Sequence, residues 1–214
     1  MSDFNKLFNE TKVVAILRGV PSEKLTKVLD ALYEGGIRLA EITYDSTGET
    51  PADMTAADIG KAVKYTEGRM LIGAGTVLNE EQVKLTAAAG GRFIISPDTN
   101  PEIIKATKNA GLLSLPGAMT VTEVCSALAA GADFVKLFPA NVLGPSFVKA
   151  VLAPMKGAKL IAVSGVSPEN IPEYLKAGCV GFGIGSNIVS SAAVASDDYK
   201  SITDSARKFV EACK

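Results

Sequence analysis

One repeating unit dominates the sequence: an amphipathic stretch, a glycine, a short apolar run and a polar loop. The unit recurs roughly every 20 to 25 residues along the chain. Alternation of helical and strand-like periods is typical of helices that alternate with strands, and it places the strands parallel in one sheet. This pattern constrains the fold more than the composition does.

Eight apolar runs have the length and residue types of strands. They cover residues 12–17, 39–43, 71–73, 93–96, 113–115, 134–138, 160–163 and 181–184. Helical patterns lie between them at residues 23–34, 51–65, 80–89, 101–109, 121–130, 147–155 and 168–176, with a last helix at 198–212. A short helix is also predicted at residues 3–9.

Eight such units predict a closed (β/α)8 barrel of the TIM type, at the small end of its usual size range. The prediction is a single barrel domain over residues 1–214 with a short N-terminal helix, since no linker or low-complexity tract divides the chain. An open doubly wound sheet is the alternative. It is disfavoured because no GxGxxG segment follows the first apolar run.

The composition excludes several classes of protein. The chain has no histidine, which excludes a Ser-His-Asp triad, a histidine base and most zinc sites. A net charge of -1 without a basic patch argues against nucleic acid as a partner. No apolar run reaches the roughly 18 residues of a membrane span. Three widely spaced cysteines form no metal motif, so a reducing cytoplasm is expected.

Ionisable residues interrupt the apolar runs near their carboxyl ends, where barrel enzymes carry their active sites. Lys136 lies within "DFVKLFPA", Glu41 within "LAEITY", Arg18 ends the first run and Thr76 follows the third. A lysine among aromatic side chains loses water, which lowers its pKa and frees the amine to attack a ketone. Glu41 could then shuttle a proton, and Arg18 could bind a carboxylate.

Structural roles are the alternative for each of these residues taken singly. Lys136 and Glu41 could form a buried ion pair, Arg18 could make a salt bridge at the rim, and Thr76 could cap a helix. An intimate pair would hold the amine charged, so the catalytic interpretation requires a gap between Lys136 and Glu41. The joint placement of three ionisable groups at strand ends favours catalysis.

Two Gly/Ser loops follow the last two predicted strands, "VSGVSPEN" and "GFGIGSN". In barrels, these loops often bind phosphate through backbone N–H groups. Ser164, Gly165, Gly185 and Ser186 are the candidates. Ordinary turn chemistry is the alternative, because every such loop favours Gly and Ser.

The motifs resemble one family over nearly the whole chain, namely the class I KDPG/KHG aldolases, which act on 2-keto-3-deoxy-6-phosphogluconate and 4-hydroxy-2-oxoglutarate. "GAGTVLN" and "VKLFPA" are the most specific matches. The resemblance implies a Schiff base on Lys136, acid/base catalysis by Glu41, no cofactor or metal, and a homotrimer. It further implies pyruvate contacts from Arg18, Thr76, Pro97 and Phe138, and phosphate contacts from Ser164, Gly165, Gly185 and Ser186.

Three departures from the family pattern bear on specificity. Asp45 stands where many members have arginine, and the segment "YDSTGETPADM" that contains it is longer than usual. Val163 stands where gluconate-specific members usually have a threonine, whose hydroxyl can bond a substrate hydroxyl. Galactonate-specific relatives have an apolar residue at this position, as this chain does. The prediction is cleavage of the gluconate-derived acid to pyruvate and glyceraldehyde 3-phosphate, with 4-hydroxy-2-oxoglutarate as a further substrate.

Three alternatives stay open. The first is the galactonate-derived acid as substrate of the same aldolase. The second is a phosphosugar isomerase or epimerase that works by enolisation and needs no covalent lysine. The third is a phosphate-binding barrel without catalytic activity.

Overall fold

The computed structural model describes residues 2–214, with side chains described from Phe4 onward. The strands are β1 (Val13–Leu17), β2 (Leu39–Thr43), β3 (Leu71–Gly75), β4 (Phe93–Ile95), β5 (Leu113–Leu115), β6 (Gly117–Ala118), β7 (Val135–Leu137), β8 (Leu160–Val163) and β9 (Gly181–Ile184). The helices are α1 (Ser2–Thr11), α2 (Leu25–Glu34), α3 (Ala52–Thr66), α4 (Glu80–Ala88), α5 (Pro101–Asn109), α6 (Val121–Ala129), α7 (Ala140–Leu152), α8 (Ile171–Ala177), α9 (Ser191–Ala195) and α10 (Tyr199–Ala212). All strand pairs are parallel.

The sheet closes through a strand that is interrupted at Pro116. The strand order is β5-β4-β3-β2-β1-β9-β8-β7-β6, and β5 and β6 flank this proline. Proline has no N–H to give to a sheet ladder, but its carbonyl still accepts a hydrogen bond from the Lys136 N–H at 2.8 Å. Because β5 and β6 are two parts of one barrel strand, the nine segments correspond to the eight strands of a barrel. The predicted (β/α)8 barrel is confirmed.

The interior of the barrel is apolar at its amino end. Helix α1 places Phe4 and Phe8 across this end, where their rings pack against Phe134 at centroid distances of 5.5 and 5.2 Å. Leu39 and Phe93 belong to the same buried cluster. A second, larger cluster fills the layer between the strands and the surrounding helices. Water therefore has access to the interior mainly from the carboxyl ends of the strands.

Helix α7 differs most from the sequence-based expectation, which began this helix at residue 147. It starts at Ala140, directly after a cis peptide bond between Phe138 and Pro139. Gly144 interrupts it with a φ of 71°, and Pro145 starts the second part. Glycine is suited to this left-handed conformation, and proline is suited to a first helical turn, so the pair joins two helical segments.

The short helix α9 was not predicted from the sequence. Within residues 2–214, no helix is both long and apolar enough to cross a membrane.

Candidate active site

A cavity of about 570 Å³ opens at the carboxyl ends of the strands. Its lining includes every residue predicted to act in catalysis or to contact pyruvate or phosphate: Arg18, Glu41, Thr76, Pro97, Lys136, Phe138, Ser164, Gly165, Gly185 and Ser186. Val163, predicted to influence specificity, also lines it. These residues come from seven strands and the loops that follow them, so only the closed barrel brings them together.

Glu41 points inward from β2 and is only 2% exposed. It shares its face with Leu39, which lies deeper in the barrel, because side chains alternate along a strand. Its Oε2 atom is buried without a hydrogen-bond partner. Burial raises the pKa of Glu41 from 4.5 to about 7, although the positive charges of Lys136 and Arg18 oppose the change. The carboxyl group can therefore take up and release a proton near neutral pH.

Lys136 points into the same cavity from β7 and is 8% exposed. Its Nζ lies 4.6 Å from the centroid of the Phe138 ring. Burial lowers the pKa of Lys136, the Glu41 charge raises it, and the Arg18 charge lowers it. The lowered pKa makes it easier for Lys136 to lose its proton and become the neutral, nucleophilic amine.

No salt bridge joins Lys136 to Glu41, although both side chains are described and face one cavity. The gap that the catalytic interpretation requires is present. A substrate atom or a water molecule between the two groups could exchange protons with both.

Two residues at the rim have backbone conformations that their residue types rarely adopt. Thr76 has a φ of 54° and Ser164 a φ of 83°. Positive φ is costly for a β-branched residue such as threonine, and such strained residues cluster at functional sites. Both side chains line the cavity, which is consistent with a functional reason for the strain.

The loops after β8 and β9 line a further part of the same cavity. Within residues 2–214, the backbone N–H groups of Gly165 and Ser186 form no hydrogen bond with other protein atoms. A β-carbon on Gly165 would lie 2.4 Å from the Asn141 Cβ, so this loop passes very close to the start of α7. The Ser164 hydroxyl donates to the Asn141 Oδ1 at 3.1 Å. The free backbone N–H groups of Gly165 and Ser186 suit an anion.

Comparison with known proteins shows the family of this chain. A family model described as KDPG and KHG aldolase matches residues 4–205. The chain belongs to the KDPG and KHG aldolase family. Its enzyme class is therefore aldolase, a carbon–carbon lyase.

Two curated relatives carry names that refer to the galactonate-derived acid. The chain is 39% identical over 189 residues to a probable 2-dehydro-3-deoxy-6-phosphogalactonate aldolase of Rhizobium meliloti (strain 1021), covering 88% of this chain and 86% of the relative. It is 35% identical over 177 residues to the 2-dehydro-3-deoxy-6-phosphogalactonate aldolase of Escherichia coli (strain K12), covering 82% and 83%.

A solved relative gives the structural comparison. The crystal structure of a KDPG aldolase from Legionella pneumophila has a TM-score of 0.84 at 28% identity, covering 94% of this chain and 95% of that chain. Pyruvate is captured in that structure at low pH as a covalent carbinolamine intermediate.

Asp45, the departure from the aldolase family pattern, lies outside the main cavity. It lines a neighbouring groove and accepts hydrogen bonds from the backbone N–H groups of Thr47 and Thr50, both at 2.8 Å. These bonds lower the pKa of the Asp45 carboxyl group. The carboxylate is therefore turned toward its own loop, and the adjacent Ser46 lines the main cavity.

Several further residues of this cavity were not predicted from the sequence, namely Ile16, Ser46, Leu78, Val166, Gly183, Ile184 and Asn187. The inward position of Ile16 follows from strand alternation, so this signal was available. Ser46 and Asn187 depend on loop conformations, for which the sequence carries no comparable signal. Among residues 2–214, no cluster of three or more carboxylate and cysteine side chains could hold a metal ion.

Proposed function

We propose that the protein cleaves a phosphorylated 2-keto-3-deoxy sugar acid by a Schiff-base mechanism, with Lys136 as nucleophile and Glu41 as proton shuttle. The observation that carries the proposal is the pair itself. A buried amine with a lowered pKa and a buried carboxyl group with a raised pKa face one cavity without forming a salt bridge. The covalent pyruvate intermediate in the Legionella pneumophila relative supports the same chemistry.

The reaction begins when the neutral Lys136 amine attacks the C2 ketone and forms a carbinolamine. The carbinolamine hydroxyl group takes a proton from solvent in the cavity and leaves as water, which gives an iminium ion. Glu41 then takes the proton of the C4 hydroxyl group as the C3–C4 bond breaks. The electron pair of that bond moves into the iminium and gives an enamine, and glyceraldehyde 3-phosphate departs. Glu41 then donates this proton to C3 of the enamine, which gives the iminium ion of pyruvate. Addition of water then releases pyruvate and restores the amine, and the proton taken up in iminium formation returns to solvent.

The remaining cavity residues have binding roles in this proposal. The Arg18 guanidinium pairs with the substrate carboxylate in a forked contact. Thr76, Pro97 and Phe138 surround the three carbons that become pyruvate. The phosphate group binds at the loops after β8 and β9, through Ser164, Gly165, Gly185 and Ser186.

We infer that the substrate is the galactonate-derived acid, which was the alternative to the gluconate-derived acid predicted from the sequence. Val163 offers only methyl groups to the cavity and is held in place against Gly183, on which a β-carbon would lie 2.8 Å from the Val163 Cγ2. A threonine here could bond a substrate hydroxyl, and valine cannot. The two curated relatives named for the galactonate-derived acid support this inference.

A reduction experiment tests the mechanism. Incubation with pyruvate and sodium borohydride should add one reduced pyruvate unit to Lys136, detectable by peptide mass spectrometry. Omission of pyruvate is the control. The absence of an adduct would contradict the Schiff-base mechanism and favour an isomerase or a non-catalytic barrel. A parallel assay of pyruvate release from the two phospho acids and from 4-hydroxy-2-oxoglutarate identifies the substrate.

Val163→Thr should shift the preference between the two phospho acids toward the gluconate-derived one. The change keeps the shape of the side chain and adds a hydroxyl group, so we expect a shift of about tenfold in the ratio of the kcat/KM values, the effect of one hydrogen bond. Hydrogen exchange at C3 of pyruvate serves as the control, since pyruvate has no C4 hydroxyl and its exchange rate should not change. An unchanged ratio would remove Val163 from the account of specificity.

The homotrimer implied by the family resemblance stays a prediction, as does the cytoplasmic location.

A further inference from the structure

Gly75 lies directly beside the Glu41 carboxyl group. It is the last residue of β3, where it is paired with Thr43 of β2 and accepts a hydrogen bond from the Tyr44 N–H at 2.9 Å. A β-carbon built on Gly75 would lie 2.5 Å from the Glu41 Cδ and 2.6 and 2.7 Å from its two carboxyl oxygens. Because such distances lie far inside van der Waals contact, the carboxyl group occupies the space that any side chain at residue 75 would need.

The backbone of Gly75 does not itself require glycine. Its φ lies outside the left-handed region that favours glycine, so alanine could adopt the same conformation. Gly73, two residues earlier on the same face of β3, is blocked by different atoms, since its β-carbon would meet the ring and the carbonyl of Phe93 at 2.5 Å. The three nearest atoms at Gly75 all belong to the Glu41 carboxyl group, which makes the requirement specific to that side chain.

Among the side chains described, from Phe4 onward, none forms a hydrogen bond or a salt bridge with the carboxyl group. Its Oε2 has no hydrogen-bond partner, and neither of the two charged groups that face it, Lys136 and Arg18, forms a salt bridge with it. Packing against Gly75 is thus the contact that sets how deeply the carboxyl group lies. A methyl group at residue 75 would push it into the cavity that Glu41 already lines, where it would meet water and come nearer to the Lys136 amine and the Arg18 guanidinium.

We propose that Gly75 is a positioning residue for the reaction, whose missing side chain keeps the Glu41 carboxyl group apart from the Lys136 amine. The proposal rests on the proposed function for its catalytic consequence, and on the contact alone for its structural part. Gly75→Ala should place the carboxylate in a wetter position nearer to positive charge, which favours the ionised form. A displacement of about 1 Å at a reacting group can lower the rate on the order of 100-fold.

A stability cycle tests the contact independently of catalysis. Gly75→Ala is introduced into the natural chain and into a Glu41→Ala variant, and the Tm of each of the four proteins is measured. We expect a clear decrease in Tm in the natural background and almost none in the Glu41→Ala background, where the carboxyl group is gone. Equal decreases in both backgrounds would overturn the proposal, because the clash would then involve other atoms.

A kinetic experiment tests the positioning role. The rate of hydrogen exchange at C3 of pyruvate in D2O is measured against pH for the natural protein, Gly75→Ala and the control Gly157→Ala, whose β-carbon meets no atom within 4 Å. For Gly75→Ala we expect an exchange rate lower by about 10- to 100-fold and an acid-side pKa lower by one unit or more, with the borohydride adduct on Lys136 retained. The control should match the natural protein.

The outcomes separate the two proposals. An unchanged pH profile, or loss of the Lys136 adduct in Gly75→Ala alone, would overturn the positioning role. Absence of the adduct in the natural protein would instead contradict the proposed function, and the stability cycle would still decide whether Gly75 accommodates the Glu41 carboxyl group.

Discussion

Lys136→Met should abolish the borohydride adduct with pyruvate and lower kcat for cleavage on the order of 10,000-fold or more. Methionine keeps the length of the side chain and packs well in a cavity wall, so the fold should persist while the nucleophile is lost. Without an iminium ion, the electrons of the C3–C4 bond can move only into the C2 ketone, which is a much poorer acceptor. Single-turnover release of pyruvate and mass spectrometry of the treated protein are the measurements.

Lys159 provides a matched control for this experiment. Its Nζ lies 5.1 Å from the centroid of the Phe134 ring, so it is also a lysine over a phenylalanine, but it does not line the cavity. Lys159→Met should therefore leave both the adduct and kcat unchanged. Turnover of Lys136→Met within about tenfold of the natural rate would favour enolisation without a covalent intermediate.

Glu41→Gln should lower kcat by roughly 100- to 10,000-fold, the usual contribution of a general acid or base, while the adduct on Lys136 still forms. The amide keeps the shape of the side chain and cannot exchange the proton. The expected combination of a retained adduct with slow C3–C4 cleavage separates the proton shuttle from the nucleophile. Loss of the adduct in Glu41→Gln would mean that Glu41 is needed before the cleavage step.

The same substitution should change the pH dependence of stability. The folded-state pKa of Glu41 is raised from 4.5 to about 7, so its contribution to stability is fully present below pH 4.5 and is lost as the pH rises through 7. We therefore compare the unfolding free energy of Glu41→Gln minus that of the natural protein at two pH values. This difference should be more favourable to the variant at pH 8 than at pH 4 by on the order of 3 kcal/mol. Denaturant unfolding at both pH values measures this, with the surface change Glu211→Gln as the control. A difference independent of pH would contradict the raised pKa.

The strands could be predicted from the sequence because their signal is local. Buried parallel strands are continuous apolar runs, and the glycines and capping residues between them mark where helices end and start. The inward positions of Lys136 and Glu41 followed from strand alternation together with closure of the barrel. Their catalytic roles stay predictions that the two substitutions above test.

The parts that could not be predicted depend on contacts between distant segments. The division of one barrel strand at Pro116 is set by pairing with β4 on one side and β7 on the other, and neither neighbour is visible in the local sequence. Ser46 reaches the cavity within the turn at residues 45–50, which Asp45 organises, and Asn141 meets Ser164 because α7 starts immediately after Pro139. Loop conformations of this kind follow no simple periodicity.

The rings of Phe4 and Phe8, which helix α1 packs across the amino end of the barrel, have a consequence for how the specificity of such an enzyme could be altered. Phe134 lies two residues before Lys136 on the same inward face and is covered from below by Phe4 and Phe8. Solvent therefore reaches the reactive nitrogen from the cavity side. The nearby charges are those of Glu41 and Arg18, and the burial that lowers the pKa of Lys136 depends in part on residues at the opposite end of the barrel from the loops after β8 and β9. Acceptance of new aldehydes could be selected by varying those loops alone, with the reactivity of the amine left intact.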